Sequence, residues 1–223
     1  MTRFCIGTPS AQFVAKMEDV LEVYQRPFDA ARPVVCVDEA RKELRSTPRG
    51  DLPIEQGQVK REDYEYAREG WANLFLAVEP LAGKRRVQVT DRRTAYDFAR
   101  FLQIVSDDLY PEAERIVLVT DNLNTHKPAS LYAAFAPDEA FRLMQRFEWH
   151  YTPEHASWLN MAEIELSVLE RQCLSRRLNR AQLEGEVPSW EARRNLVQGR
   201  INWQFTVADA RVKLRRLYPI QQA

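Results

Sequence analysis

"RIVLVTDNLNTH", residues 115–126, is the stretch whose reading decides the fold. Four consecutive apolar residues, Ile116 to Val119, run straight into Thr120, Asp121 and Asn122. An apolar, mostly β-branched run of this length, closed by polar residues, reads as a buried central strand. An ionised Asp at its tip is costly unless water, hydrogen-bond donors or a cation reach it. One explanation is local: Asp121 and Asn122 cap the helix that Pro128 completes. The other is a bound cation, and the rest of the chain bears on the choice.

Upstream, Phe13, Met17, Val20, Leu21 and Tyr24 recur at helical spacing, so residues 12–25 form an amphipathic leading helix closed by Arg26-Pro27. Pro33 then introduces "VVCVDEA", a short first strand ending in Asp38. Residues 41–70 are charged and punctuated by Pro48, Gly50, Pro53, Gly57 and Gly70, the composition of an exposed loop or ribbon. "NLFLAVEP" (73–80) and "RVQVT" (86–90) pair as a hairpin across Leu81 to Lys84. A helix over 94–109, capped by Thr90 or Thr94, makes the crossover to the central strand. Pro128 and Pro137 each open a short helix, and "FEWHY" (147–151) is a fifth strand. A long helix follows over about 160–176, with further helices at 188–199 and 206–217. Three strands, helix, strand, helices, strand, helix is the order of a ribonuclease H-like α/β fold, a mixed five-stranded sheet flanked by helices.

A chain of 223 residues with 45% hydrophobic content supports one full α/β domain with appended helices. No run approaches the roughly 18 apolar residues of a membrane span, and no signal-peptide stretch opens the chain, so the expectation is a cytoplasmic protein without a membrane partner. Cys5, Cys36 and Cys173 lack CxxC spacing and read as small buried apolar residues. Net charge is zero, yet 26 of the 32 basic residues are Arg, whose planar fork suits phosphate. From Ile164 onward eleven Arg or Lys face six Asp or Glu, a local surplus of five. That surplus is either a solvated helix surface or a nucleic-acid footprint.

Asp38 ends the first strand, Asp121 ends the fourth and Glu163 lies near the start of the helix after the fifth. If the first and fourth strands are neighbours, the two Asp side chains meet at one edge and the helix lays Glu163 across them. Three such carboxylates repel one another unless hard, oxygen-preferring cations hold them ionised, and Mg²⁺ or Mn²⁺ fits that need. Two ions there would activate an attacking oxygen and stabilise a leaving oxygen of a phosphodiester. His126, His150 and His155 do not complete a tetrahedral zinc set, since no cysteine or further histidine pair joins them. His126 and Asn122 read better as partners of Asp121.

"CVDE" (36–39), "VTDNLNTH" (119–126) and "HYTPEHASWLNMAEIE" (150–165) together resemble the DDE transposases of the mariner-like superfamily, and among them the bacterial insertion-sequence IS six-thirty family. The resemblance covers about residues 10–218. It implies Asp38, Asp121 and Glu163 as catalytic ligands of two Mg²⁺ ions, with DNA cleavage at transposon ends and strand transfer into target DNA. Double-stranded DNA, as terminal inverted repeats and target, is then the partner, and a homodimer the active assembly near the nucleoid. Helical geometry leaves Glu163 and Glu165 both open as the ligand; the Asn-x-x-Glu match favours Glu163. Asn160, Arg171, Arg176 and Arg177 are the candidate DNA contacts, Asn160 equally a helix N-cap. Trp158 reads as a base-stacking or packing residue.

The implied organisation is a leading helix over 1–30 as linker remnant, a catalytic domain over 31–180 and a helical extension over 181–223. Full-length relatives carry helix-turn-helix modules ahead of the catalytic domain, and the short segment before the first strand leaves no room for them. A separate helix-turn-helix half is therefore an expected partner. The competing expectation is a catalytically silent remnant that binds DNA or dimerises with a complete enzyme.

Overall fold

The computed structural model describes residues 10–47 and 65–219; Cys5 and the middle of the expected 41–70 loop lie outside them. Five strands form one mixed sheet in the order β3-β2-β1-β4-β5, with β1 Val34–Ser46, β2 Ala67–Glu79, β3 Lys84–Thr90, β4 Ile116–Thr120 and β5 Phe147–Tyr151. The three leading strands are antiparallel to one another, while β1 pairs parallel to β4 and β4 parallel to β5. The expected order and crossover are therefore present. β4 is buried at all five positions, as an interior strand with covered faces requires.

Helices cover both faces. On one, α1 (Ala11–Tyr24), α5 (Met161–Leu169) and α6 (Arg180–Leu196) pack against Cys36, Leu74, Leu76, Val117 and Val119. On the other, α2 (Ala95–Ile104), α3 (Ala129–Ala134) and α4 (Pro137–Arg146) pack against Val35, Val37, Phe75, Ile116 and Leu118. The alternation along β1 and β4 is the two-residue period of a strand serving two cores. Among the described residues, no helix is long and apolar enough to cross a membrane.

Several boundaries differ from the sequence reading, each for a physical reason. β1 and β2 extend as a paired ribbon over 41–46 and 67–72, so only the middle of the expected loop remains in question. Charged residues hid the ribbon because neither face there is fully buried. The helix expected at 188–199 begins at Arg180, with Pro188 inside it. Proline usually marks a helix start; here an Asn179–Gln182 capping box supplies the start instead, and Leu183, Val187 and Trp190 anchor the helix through burial. The helix expected to reach residue 176 closes earlier, α5 passing into a π-helical turn over Glu170–Leu174. A final helix, α7, spans Val207–Lys213 under a Thr206–Asp209 capping box.

Gly83 closes the β2–β3 hairpin at φ +66°, and a Cβ there would lie 2.5 Å from the carbonyl carbon of Gln198. Only glycine admits both that backbone conformation and the approach of the chain leaving α6.

Candidate active site

β1 and β4 are aligned with Cys36 opposite Val119, so two residues further on Asp38 and Asp121 reach the same edge of the sheet. Asp38 is buried. One of its carboxylate oxygens accepts the Glu39 backbone N–H at 2.8 Å, and the other accepts the Asn160 amide at 3.2 Å. Burial, then the charges of Glu163, Glu39 and Asp121, push its carboxyl up to about 7, against the single backbone N–H that favours ionisation. Glu163 stands in the first turn of α5 at the solvent side. Its carboxyl is also raised, by partial desolvation and by Asp121 and Glu39, and a hydrogen bond from Ser157 opposes the shift. Asp38 and Glu163 thus each carry the repulsion of neighbouring carboxylates, Asp121 and Glu39 among them.

Asn160 is fully buried, which corrects the expectation of a DNA contact there. Its carbonyl accepts the Ala162 N–H at 3.1 Å as the N-cap of α5, and its amide donates to Val37 O at 3.0 Å as well as to Asp38. One side chain therefore fixes the first Asp relative to the helix bearing the Glu. Tyr24 of α1 supports the same helix start, donating its hydroxyl to Leu159 O at 2.7 Å.

Asp121 faces His126. The imidazole is 1% exposed, stacks on Phe98 with ring centroids 4.3 Å apart, and touches Asp121 Oδ1 through Nδ1 and Glu39 Oε2 through Nε2, the latter at 2.9 Å. Burial lowers the proton affinity of the ring, but the two carboxylates outweigh it and push it up to about 9. The imidazolium is therefore a cation held between β1 and β4. Glu39 was not singled out from the sequence; its only signal was its place beside Asp38, facing the other side of the strand. Asn122 lines an open cleft of about 420 Å³ with Asp121, Asn124, Thr152, His155 and Ser157. His155 adopts φ +61°, a strained conformation for a non-glycine residue, at the rim of that cleft.

Glu165 is placed elsewhere. Its carboxylate is fully buried, accepts Arg194 in a bidentate pair at 2.9 and 3.0 Å, and lies 3.0 Å from the fully buried Arg85 Nε. Arg85 in turn donates to Gly199 O at 2.7 Å and, with its backbone, to Asn195 at 2.9 Å. Glu165 is thus committed to two guanidinium groups and is not available as a ligand.

The remaining candidates separate. Arg171 donates to Ser167 at 2.7 Å, Arg176 pairs with Glu186, and Arg177 lies over the ring of Tyr66 at 5.1 Å. Trp158 packs edge-on against Phe205 at 6.0 Å, the packing role of the two considered. His150 is tied between Asp19 at 2.7 Å and Glu148 at 3.0 Å, joining α1 to β5.

The donor chemistry fits a hard divalent cation. Asp38, Asp121 and Glu163 supply carboxylate oxygens, and among the described residues no Lys or Arg pairs with any of them. Their side chains are not closed to ligand spacing, since among the described residues no group of three His, Cys, Asp or Glu is disposed to hold an ion.

A mixed five-stranded sheet in this strand order, flanked by helices, defines a ribonuclease H-like fold. Residues 33–183 match the DDE superfamily endonuclease model, and the chain belongs to that family. Three solved structures share the fold. The Mos1 mariner paired end complex with Mn is 14% identical with a TM-score of 0.55, covering 89% of this chain and 62% of that one. The Mos1 strand transfer complex is 14% identical with a TM-score of 0.56, covering 86% and 58%. The mariner Mos1 paired end complex with Mg is 14% identical with a TM-score of 0.52, covering 99% and 68%. The chain thus spans about three fifths of the first two of these chains. No curated protein matches it by sequence.

Proposed function

We propose that this chain is the catalytic domain of a transposase that cuts DNA at transposon ends and transfers the freed strand to target DNA. Within the family, its Tyr151-Thr152-Pro153 and Leu159-Asn160-x-x-Glu163 motifs support a reading as a member of the insertion-sequence IS six-thirty branch. The observation that carries the reading is the set Asp38, Asp121 and Glu163, drawn from two strands and a helix, in which His126 on Asp121 is the one counter-charge among the described residues while the neighbouring Glu165 is paired to two guanidinium groups.

Asp38, Asp121 and Glu163 would hold two Mg²⁺ or Mn²⁺ ions, which when bound supply activation of the attacking oxygen and charge stabilisation of the leaving oxygen. Asn160 presents Asp38 to the site by holding one carboxylate oxygen and capping the helix of Glu163. His126 keeps its protons between Asp121 and Glu39, fixing the direction of the Asp121 carboxylate from behind. The cleft between the 121–124 and 152–157 loops receives the DNA strand beside the carboxylates. The active complex is a homodimer on paired ends.

Incubation of the chain with nicked and intact duplexes carrying transposon ends, with Mg²⁺ or Mn²⁺, tests the reading. Nicking or strand transfer that requires metal and is lost in Asp121→Asn is the expected result. DNA binding without metal-dependent cleavage would overturn it in favour of the silent remnant.

A further inference from the structure

Beyond the sheet, β1 and β2 continue as a two-stranded ribbon. β1 pairs with β4 only over Val34–Cys36 and β2 with β3 only from Asn73, so 41–46 and 67–72 have no further sheet partner among the described residues. The register places Arg41 opposite Asn73, Glu43 opposite Trp71 and Arg45 opposite Arg68, with a bulge that contains Gly70 at φ +93°. Directly opposed residues share a face. Arg41, Glu43, Arg45, Arg68 and Trp71 therefore occupy one face of the ribbon, which at its inner end carries Glu39.

The side chains on this face are organised. The Arg41 guanidinium lies 4.3 Å over the Trp71 ring, and Arg45 lies 4.7 Å over Tyr66, whose ring also takes Arg177 at 5.1 Å. Glu43, the one carboxylate in the group, is half-buried and neutralised by Arg45 and by Arg68 at 3.3 Å. Trp71 is 49% exposed and Tyr66 38%, and neither belongs to a core cluster. The opposite face is pinned by Lys42, which donates to Leu174 O and lies 3.6 Å from Glu170, and the ribbon's edge by the Arg45 backbone N–H, which donates to Leu178 O at 2.9 Å. The ribbon is thereby held against the end of α5 with its arginine face outward.

We propose that this face docks duplex DNA, gripping the phosphodiester backbone on the flank of the carboxylate site. A guanidinium stacked flat on an aromatic ring loses little freedom on binding and turns its N–H edge outward, the geometry that suits phosphate oxygens. The Trp71 and Tyr66 stacks meet β1 at Arg41 and Arg45, four residues apart, on the order of 13 Å along a strand. Arg45 is held by Glu43, so Arg41 on Trp71 and Arg177 on Tyr66 are the two stations that reach separate phosphates. Net positive charge, planar donors and solvent-facing rings in one row match a nucleic-acid backbone better than an apolar protein partner. The inference rests on the transposase reading, since it assumes a DNA substrate, and it assigns the grip to side chains outside the carboxylate cluster.

Binding of the chain to a fluorescent duplex, followed by anisotropy in a chelator so that metal-dependent cleavage is blocked, tests it across roughly 50–200 mM salt. Arg41→Ala and Arg177→Ala are expected to weaken binding at least about fivefold each and to reduce the salt slope by about one. Trp71→Ala, which removes the stacking surface and keeps the charge, is expected to weaken binding with an unchanged slope. Arg211→Ala, on α7 and paired with Glu18, is the distant control and is expected to bind like the parent. Binding by the ribbon variants within twofold of the parent would overturn the proposal alone. Loss of self-association in sedimentation with intact DNA affinity would reassign the face to a protein contact and overturn it as well. Absence of DNA binding by the parent at low salt would overturn both this inference and the transposase reading.

Discussion

Two carboxylates two residues apart on α5 occupy opposite electrostatic worlds. Glu165 is fully buried and paired to Arg85 and Arg194, so its charge is met on the spot. Glu163 faces Asp121, Asp38 and Glu39 and its proton affinity is raised. The difference teaches how to tell a structural charge from a working one. A buried ion cluster that stabilises a fold brings its counter-charges with it, whereas a site that accepts a cation gathers like charges and leaves them unmet. Both arrangements hang on one helix, and the paired cluster fixes the helix that presents the unpaired one.

The sharpest way to break the comparison is to neutralise each glutamate in turn. Glu163→Gln is expected to lower metal-dependent DNA cleavage by at least about 1000-fold, roughly 4 kcal/mol of barrier, while leaving the melting temperature equal or higher. Glu165→Gln is expected to do the reverse in kind. Leaving Arg85 buried without its counter-charge costs about 3–5 kcal/mol of stability, measurable by urea unfolding, and any loss of activity follows unfolding. Activity retained in Glu163→Gln, or stability retained in Glu165→Gln, would dissolve the distinction.

The pH dependence sharpens it. A carboxyl at 3.8 in the unfolded chain and about 7 in the folded one binds its proton more tightly when folded. Asp38 therefore makes stability fall as pH rises between those two values. His126 shifts the other kind of group in the same direction: its folded value of about 9 means a contribution present below its unfolded value near 6.5 and lost as pH climbs through 9. In the metal-free protein, melting temperature is expected to decline from pH 5 to 7, and Asp38→Asn to flatten that part of the profile while the decline above pH 7 persists. An unchanged profile in the variant would show that Asp38 is not electrostatically frustrated.

A smaller effect is expected behind the site. His126→Gln keeps one polar contact and loses the buried cation between Asp121 and Glu39. Mn²⁺ affinity by calorimetry is expected to fall about tenfold, with the fold intact by circular dichroism. An unchanged affinity would mean that Asp121 needs no support from that side.

Much of the architecture was legible along the chain. The apolar run 116–119, the hairpin around Gly83 and the helical spacing of Phe13, Met17, Val20 and Leu21 each report a local period that burial imposes. The positions of Asp121 and Glu163 at element ends were legible for the same reason, whereas β1 runs on past Asp38, the expected strand end, to Ser46. The ribbon was obscured by its charged residues, and α6 was cut short in the reading because Pro188 mimicked a helix start.

The sequence by itself determined which elements form and which residue types stand at their ends, because periodicity, caps and turns are set by neighbours a few positions away. Only the tertiary structure paired Glu165 with Arg85 and Arg194, buried Asn160 beneath Asp38, and bridged Glu39 to Asp121 through His126. Those outcomes depend on strand order and on charges contributed from distant parts of the chain. Coulomb and desolvation energies act through space, and a linear pattern does not carry them.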